Sequence, residues 1–203
     1  MPKIPCAFVM RHGDTELNED NCFRGFLNPG LNDKGILQAS KAGEFLSRQQ
    51  IDRVISSPLC RTIETSQIVA AKLGGRHIKE CHSLFPWAIA PLYGRDKDKY
   101  SEVLDWYIDQ PDKIPENGES LNDFLERTED YFCEKLQECI PTLFVCHTSN
   151  IVALNDLIMG TEGGRPEQGE VVEPGGICAI YEEKDGWSIE PVFGQVKKAE
   201  FGS

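Results

Sequence analysis

The chain has 203 residues, 40% of them hydrophobic and 27% charged, with a formal net charge of −12. That length supports one sizeable core and is short for two large domains. The acidity argues against a nucleic-acid surface or an anionic membrane as partner, and no apolar run approaches the roughly 20 residues of a membrane span.

The opening Met1-Pro2-Lys3-Ile4-Pro5 lacks the apolar stretch of a signal peptide, which suggests a cytoplasmic protein. Ala7 to Met10 then reads as a buried strand that breaks abruptly into Arg11-His12-Gly13. The polar residues after it end in a loop, Phe23-Arg24-Gly25-Phe26-Leu27-Asn28-Pro29-Gly30. Asn32 is placed to cap a helix over 33–49, whose Ala39, Ala42, Phe45 and Leu46 make a face for packing on a sheet. A short strand over 53–56 comes next. Ser57-Pro58 has the form of a serine N-cap and a proline at the first helical position, opening a helix that stops at Gly74-Gly75. Residues 77–79 suit another short strand.

Residues 82–119 are broken by Pro86, Pro91, Gly94, Pro111, Pro115 and Gly118, around one helical pattern of Tyr100, Val103, Leu104, Tyr107 and Ile108. This is the expected cap insertion, since loops that long inside a compact unit are usually functional. Ser120, with Asp123 three residues on, opens a long helix to about Cys139, ended by Pro141. Leu143 to Cys146 is a buried strand ending in His147, and a helix from about Asn150 to Met159 closes at Gly160. Strands are expected at 177–181 and 187–192 around a turn at 182–186, with a frayed tail from Ala199 to Ser203. The expected fold is α/β in three layers, a mostly parallel sheet with helices on both faces, over 1–203 as a single domain.

Eight cysteines are scattered without a CxxC pair, and several sit in apolar runs. They suggest reduced, mostly buried thiols rather than disulfides or zinc. Cys60, at a helix start, is either a thiol of lowered pKa or a buried inert one.

Three strands end in chemistry. The first ends at Arg11 and His12, another at His147, and a third just before Ser57-Pro58, with Arg61 in the first turn of the next helix. Parallel strands would bring these ends to one sheet edge, where ligands of α/β proteins sit. Two arginines, two histidines and a helix N-terminus around one point suit a phosphoryl dianion. The guanidiniums would penalise protonation of His12 and keep it a neutral nucleophile at pH 7. No metal is expected, because cationic side chains supply the charge, and no cofactor is implied.

The same residues resemble the histidine phosphatase superfamily, the phosphoglycerate-mutase-like enzymes. Arg11-His12-Gly13 with Thr15 and Asn18 resembles its opening signature, and Leu31-Asn32-Asp33-Lys34-Gly35 the next block. Ser56-Ser57-Pro58-Leu59-Cys60-Arg61-Thr62 is similar to its second arginine motif and Val145-Cys146-His147 to its last. The resemblance implies a phosphohistidine enzyme with His12 as nucleophile, a pocket completed by Arg11, Arg61 and His147, and a small phosphorylated metabolite as substrate. Asn18, Arg24, Gly25 and Thr148 are the further candidates for phosphate or substrate binding. Arg24 is equally readable as a solvated loop arginine.

Two departures from the family pattern stand out. Thr148-Ser149-Asn150 replaces the usual glycine-rich turn after the last histidine, adding hydroxyl contacts or blocking part of the pocket. The cap segment lacks the usual carboxylic acid: Ala88 or a near neighbour stands at the expected position, and no carboxylate lies between Glu80 and Asp96. General acid help is worth about 10²–10⁴-fold. A slow phosphatase is therefore expected unless His82, Asp96 or Asp14 takes over, with a catalytically impaired phospho-ligand binder and a phosphomutase as the other readings. Glu119 is read as a support for the cap, His77 and His82 as surface groups, and the oligomeric state is not encoded in any readable motif.

Overall fold

The computed structural model describes residues 3–160 and 170–198. In chain order the elements are β1 (Ala7–Arg11), α1 (Glu16–Glu19), α2 (Asp33–Leu46), β2 (Arg53–Ser56), α3 (Cys60–Lys72) and β3 (Ile78–Glu80). Two 3-10 turns (His82–Leu84 and Ala90–Leu92) lead to α4 (Lys97–Asp109) and α5 (Leu121–Gln137). Then come β4 (Thr142–Cys146), α6 (Thr148–Met159), β5 (Glu170–Val172), β6 (Ile177–Glu183), β7 (Gly186–Phe193) and β8 (Val196–Lys198). The expected tail at 199–203 lies outside the described residues.

The main sheet has six strands in the order β3-β2-β4-β1-β6-β7. The first four are mutually parallel, and β6 and β7 add antiparallel on the far side of β1. β1 and β4 are buried along their whole length, which is why they read as unbroken apolar runs. Alternate residues serve opposite faces. Val9, Ile55, Phe144 and Cys178 pack with Phe124, Phe132 and Leu136 of α5 and Ile151 to Leu154 of α6. Phe8, Met10, Val54 and Val145 pack with Ala42 and Leu46 of α2 and Val69 of α3. The expected three layers arise from this split. Trp87, Leu92 and Leu104, from residues 82–119, join the α5–α6 side of the core.

Capping fixes the helix starts. Asn32 accepts from the Gly35 amide at 2.8 Å. Ser120 accepts from the Asp123 amide at 3.0 Å and donates its own hydroxyl to the Asp123 carboxylate at 2.7 Å, so the aspartate braces the cap through the hydroxyl and does not complete the reciprocal backbone bond of a capping box.

Several boundaries differ from the sequence-based expectation. α3 starts at Cys60 with Leu59 as its N-cap, not at Ser57-Pro58. The Ser57 amide is still in the sheet ladder, donating to the Val145 carbonyl at 3.0 Å. α6 starts at Thr148, because Asn150 turns back to accept from the His147 amide at 3.2 Å. The short α1 and the β5–β8 pair have no apolar periodicity to announce them. The cysteines are free, as expected, but not mostly buried: only Cys146 and Cys178 are fully buried, and Cys60 and Cys139 are exposed.

Behind β1, backbone meets backbone. A Cβ added at Gly13 would lie 2.5 Å from the Gly35 carbonyl oxygen, and one at Gly35 would lie 2.1 Å from that of Asp14. The helix start at Gly35 and the turn after His12 therefore fit only without side chains. Gly35→Ala gains roughly 1 kcal/mol of helix propensity, but overpacking against rigid backbone costs about 1–3 kcal/mol. The clash should win. We expect a lower melting temperature, at roughly 2–4 °C per kcal/mol for a chain of this size. A variant melting at or above the wild-type temperature would show that the turn yields.

Candidate active site

The site is built by strand register. Arg11 pairs with Cys146, so β1 and β4 end level, and Ser56 pairs with Val145, so β2 ends one residue short of them. The next residue of each, His12, His147 and Ser57, emerges on one edge. The His12 amide still donates to the Cys146 carbonyl at 3.1 Å. The two imidazoles meet edge-on, with centroids 5.3 Å apart, and His147 Nε2 lies 2.9 Å from the Ser57 hydroxyl. Ser57 is thus a site residue that reads from sequence as a helix cap.

Hydrogen bonds fix the tautomer of His12. Its Nδ1 lies 2.7 Å from the Gly13 carbonyl, which can only accept, so Nδ1 carries the proton. Arg61 Nε donates to Nε2 at 3.2 Å, so Nε2 presents its lone pair. Burial, reinforced by Arg61, His147, Arg24 and Arg11, holds the His12 pKa well below 6.5. The expectation of a neutral nucleophile is consistent with this, although burial outweighs the guanidiniums as its cause. Thr65 completes the frame: its hydroxyl accepts from the Gly13 amide at 3.1 Å and donates to the Arg61 carbonyl at 2.6 Å.

Three guanidiniums are buried here. Arg61 donates to the Leu27 and Gly25 carbonyls, each at 2.9 Å, and burial draws its pKa to about 9. Arg11 donates to the Val172 carbonyl at 3.2 Å, its Nε has no partner, and burial draws its pKa to about 10. Both stay cationic at neutral pH. Arg24 is buried, not solvated; burial, Arg11 and Arg61 push its pKa down, and its Nη1 has no partner. His147 Nδ1 and the Thr148 hydroxyl are also buried without partners. Burial, Arg61, Arg24, Arg11 and Arg127 hold His147 neutral. A protonated His147 therefore requires an anion's charge beside it.

A cavity of about 70 Å³ is lined by His12, Arg24, Gly25, Arg61, His147 and Thr148. Phe23, Trp87, Ile89, Leu92, Tyr93 and Leu104 line it too. Arg11 and Asn18 instead line a neighbouring, wider opening with Asp14 and Lys34. Asn18 accepts from the Thr15 amide and hydroxyl at 3.0 and 2.8 Å, capping α1. No carboxylate is among the residues lining the smaller cavity. Ala88 faces a separate groove with Glu119 and Arg127, and its amide donates to Glu119 at 3.2 Å. Asp14 is held by Lys34 at 2.6 Å and Gln38 at 3.0 Å, Asp96 caps α4, and His82 is exposed and stacked on Phe85. Glu119 braces the segment through Arg127, which also donates to the Ser83 and Phe85 carbonyls.

Residues 7–193 match the family model described as histidine phosphatase superfamily (branch 1). The chain belongs to the histidine phosphatase superfamily. Within it, a 2,3-bisphosphoglycerate-dependent phosphoglycerate mutase of Nitrobacter hamburgensis is 33% identical over 174 residues, covering 79% of this chain and 82% of the mutase. A phosphoglycerate mutase of Schizosaccharomyces pombe is 29% identical over 192 residues, covering 88% and 90%. In fold, the chain is similar to a mycobacterial glucosyl-3-phosphoglycerate phosphatase, with a TM-score of 0.80 at 19% identity, covering 93% of this chain and 99% of that one. It is also similar to the α-ribazole phosphatase of Shigella flexneri, with a TM-score of 0.79 at 21% identity, covering 93% and 96%. No helix among the described residues is long and apolar enough to cross a membrane.

The buried histidines of this superfamily member set a pH dependence. Both have folded pKa values below 6.5. Between those values and 6.5 the unfolded chain binds protons that the folded chain does not, so stability rises with pH there and is lost as pH falls through 6.5. We expect the melting temperature to drop from pH 7.5 to pH 5.5 and His147→Asn to flatten part of that drop. Identical slopes in both proteins would rule out a buried, neutral His147.

Proposed function

We propose that the protein is a metal-independent phosphoric monoester hydrolase that cleaves a small phosphorylated metabolite through a phosphohistidine on His12 Nε2. The observation that supports it is buried positive charge beside a neutral imidazole: Arg61 Nε lies on the His12 Nε2 lone pair, and Arg24 Nη1, Arg11 Nε and the neutral His147 Nδ1 are buried without hydrogen-bond partners nearby. Buried like charges are costly unless a counter-charge joins them. A phosphoryl dianion supplies it. His12 Nε2 attacks phosphorus in line, the guanidiniums spread their hydrogen bonds over the equatorial oxygens, and transition-state charge is stabilised without a metal. Water then attacks the phosphohistidine and releases phosphate. Residues 82–119 act as the cap that selects the leaving group.

The relatives at about 30% identity named as mutases keep transfer to a second hydroxyl open as an alternative second step. The cavity walls without a carboxylate favour a third reading, a slow or impaired enzyme that retains ligand binding. Turnover decides among them. Wild-type protein should release phosphate from p-nitrophenyl phosphate, form an acid-labile phosphoenzyme, lose no activity to EDTA and be inhibited competitively by vanadate. His12→Ala should lose both phosphoenzyme and turnover. Full activity in that variant, or loss in EDTA restored by a divalent ion, would overturn the mechanism.

A further inference from the structure

Hydrolysis through His12 leaves one proton unassigned, the one the departing oxygen must take up. Any donor for it presupposes the phosphohistidine reading above. The protic groups on the cavity wall are few. Ser149 accepts from the Trp87 amide at 3.2 Å and carries an aliphatic hydroxyl, too weak an acid for the task. His147 is neutral, and its Nε2 is turned to Ser57. Two hydroxyls are buried on the wall without partners, those of Thr148 and Tyr93. Among the described residues no acceptor takes the Tyr93 phenolic proton, which is therefore free to be given elsewhere. An aliphatic hydroxyl such as that of Thr148 is no stronger an acid than an alkyl leaving group. A phenol is far stronger.

The Tyr93 ring is also held in place. It lies directly over Gly25, where an added Cβ would come within 1.8 Å of it, and Gly25 sits at φ +46°. Phe26 packs edge-on against the same ring, with centroids 6.2 Å apart. The Gly25 carbonyl meanwhile takes a hydrogen bond from Arg61 Nη2 at 2.9 Å. One residue thus fixes both the phenol and the guanidinium that touches the nucleophile.

The geometry points to Tyr93 as the acid that protonates the leaving oxygen, in the role of the missing carboxylate. As the Nε2–P bond forms, the P–O bond to the leaving group breaks, and its electron pair takes the Tyr93 proton. The product is a neutral alcohol and a tyrosinate, whose charge the nearby Arg61 stabilises. In the second half-reaction water attacks phosphorus, the N–P bond breaks, and the water's proton passes to the tyrosinate, which restores the phenol. Burial raises the Tyr93 pKa to about 12, so the donor form persists across the neutral range.

Tyr93→Phe keeps the ring over Gly25 and removes only the proton. Turnover of alkyl phosphates should fall about 10²-fold or more, the scale of general acid catalysis. Turnover of p-nitrophenyl phosphate, whose phenolate departs unaided, should fall far less, so the rate should depend more steeply on leaving-group pKa. Thr148→Val should leave the alkyl-to-aryl ratio where it is. An equal loss on both ester classes, no loss, or the effect appearing in Thr148→Val instead would overturn the assignment while His12 chemistry stands. A wild-type protein that forms no phosphohistidine would overturn the underlying reading and this assignment with it.

Discussion

The site depends on strand register. Arg11 opposite Cys146, and Ser56 opposite Val145, put His12, His147 and Ser57 side by side at the edge of a parallel sheet. A one-residue slip of β1 would reverse every side chain from one face to the other, sending Phe8 and Met10 to the wrong side of the core and His12 out of register with His147. Each strand is buried on both faces, so the same apolar contacts that stabilise the sheet also specify this register. Chemistry at the edge is a by-product of core packing two residues further in.

On that frame the protein assembles an electrostatically costly cluster. Arg11, Arg24 and Arg61 are buried together, inside a chain whose net charge is −12. Arg61 is satisfied by the loop carbonyls of Leu27 and Gly25, and Arg11 by that of Val172, with the charges of Glu173 and Asp14 acting on it. Carbonyl dipoles orient the guanidiniums without neutralising them. Both histidines are held neutral by burial and by the same guanidiniums. Pre-organisation of this kind places the cost in folding and the benefit in binding and transition-state stabilisation.

Much of this was legible in the sequence because each strand end carried its own signal. Apolar runs ending in Arg11-His12 and in His147 located two corners, and Arg61 in the next helix located the third. The three-layer fold followed from alternating strands and amphipathic helices. What escaped had no periodic or compositional mark. Ser57 looked like a helix cap because serine before proline usually is one; its true partner, His147, lies 90 residues away. Arg24 sat in a loop of polar and glycine residues, with nothing in the local pattern to announce its burial. Thr65 and Tyr93 are ordinary residues in a helix and a loop, brought to the site by what packs against them. β5 and β8 pair over three residues each, too short for alternation to show.

The missing carboxylate illustrates the limit of reading by position. Around Ala88 neighbours alternate: Trp87 and Ile89 line the cavity, whereas Ala88 lines the groove of Glu119 and Arg127. An acid at 88 would lie beside a carboxylate already bound to Arg127 at 2.6 Å, so it would compete for that guanidinium rather than point at a leaving oxygen. A carboxylate held ionised by arginine is a poor proton donor in any case. The departure is thus larger than one lost side chain. The segment turns apolar groups, Trp87, Ile89 and Leu92, toward the place where the leaving group must sit, and a carboxylate set among them would be desolvated without a partner. A phenol tolerates that surrounding, because its working form is neutral and its ring belongs to the apolar wall. The same wall that excludes an acid is therefore the one that can hold a tyrosine.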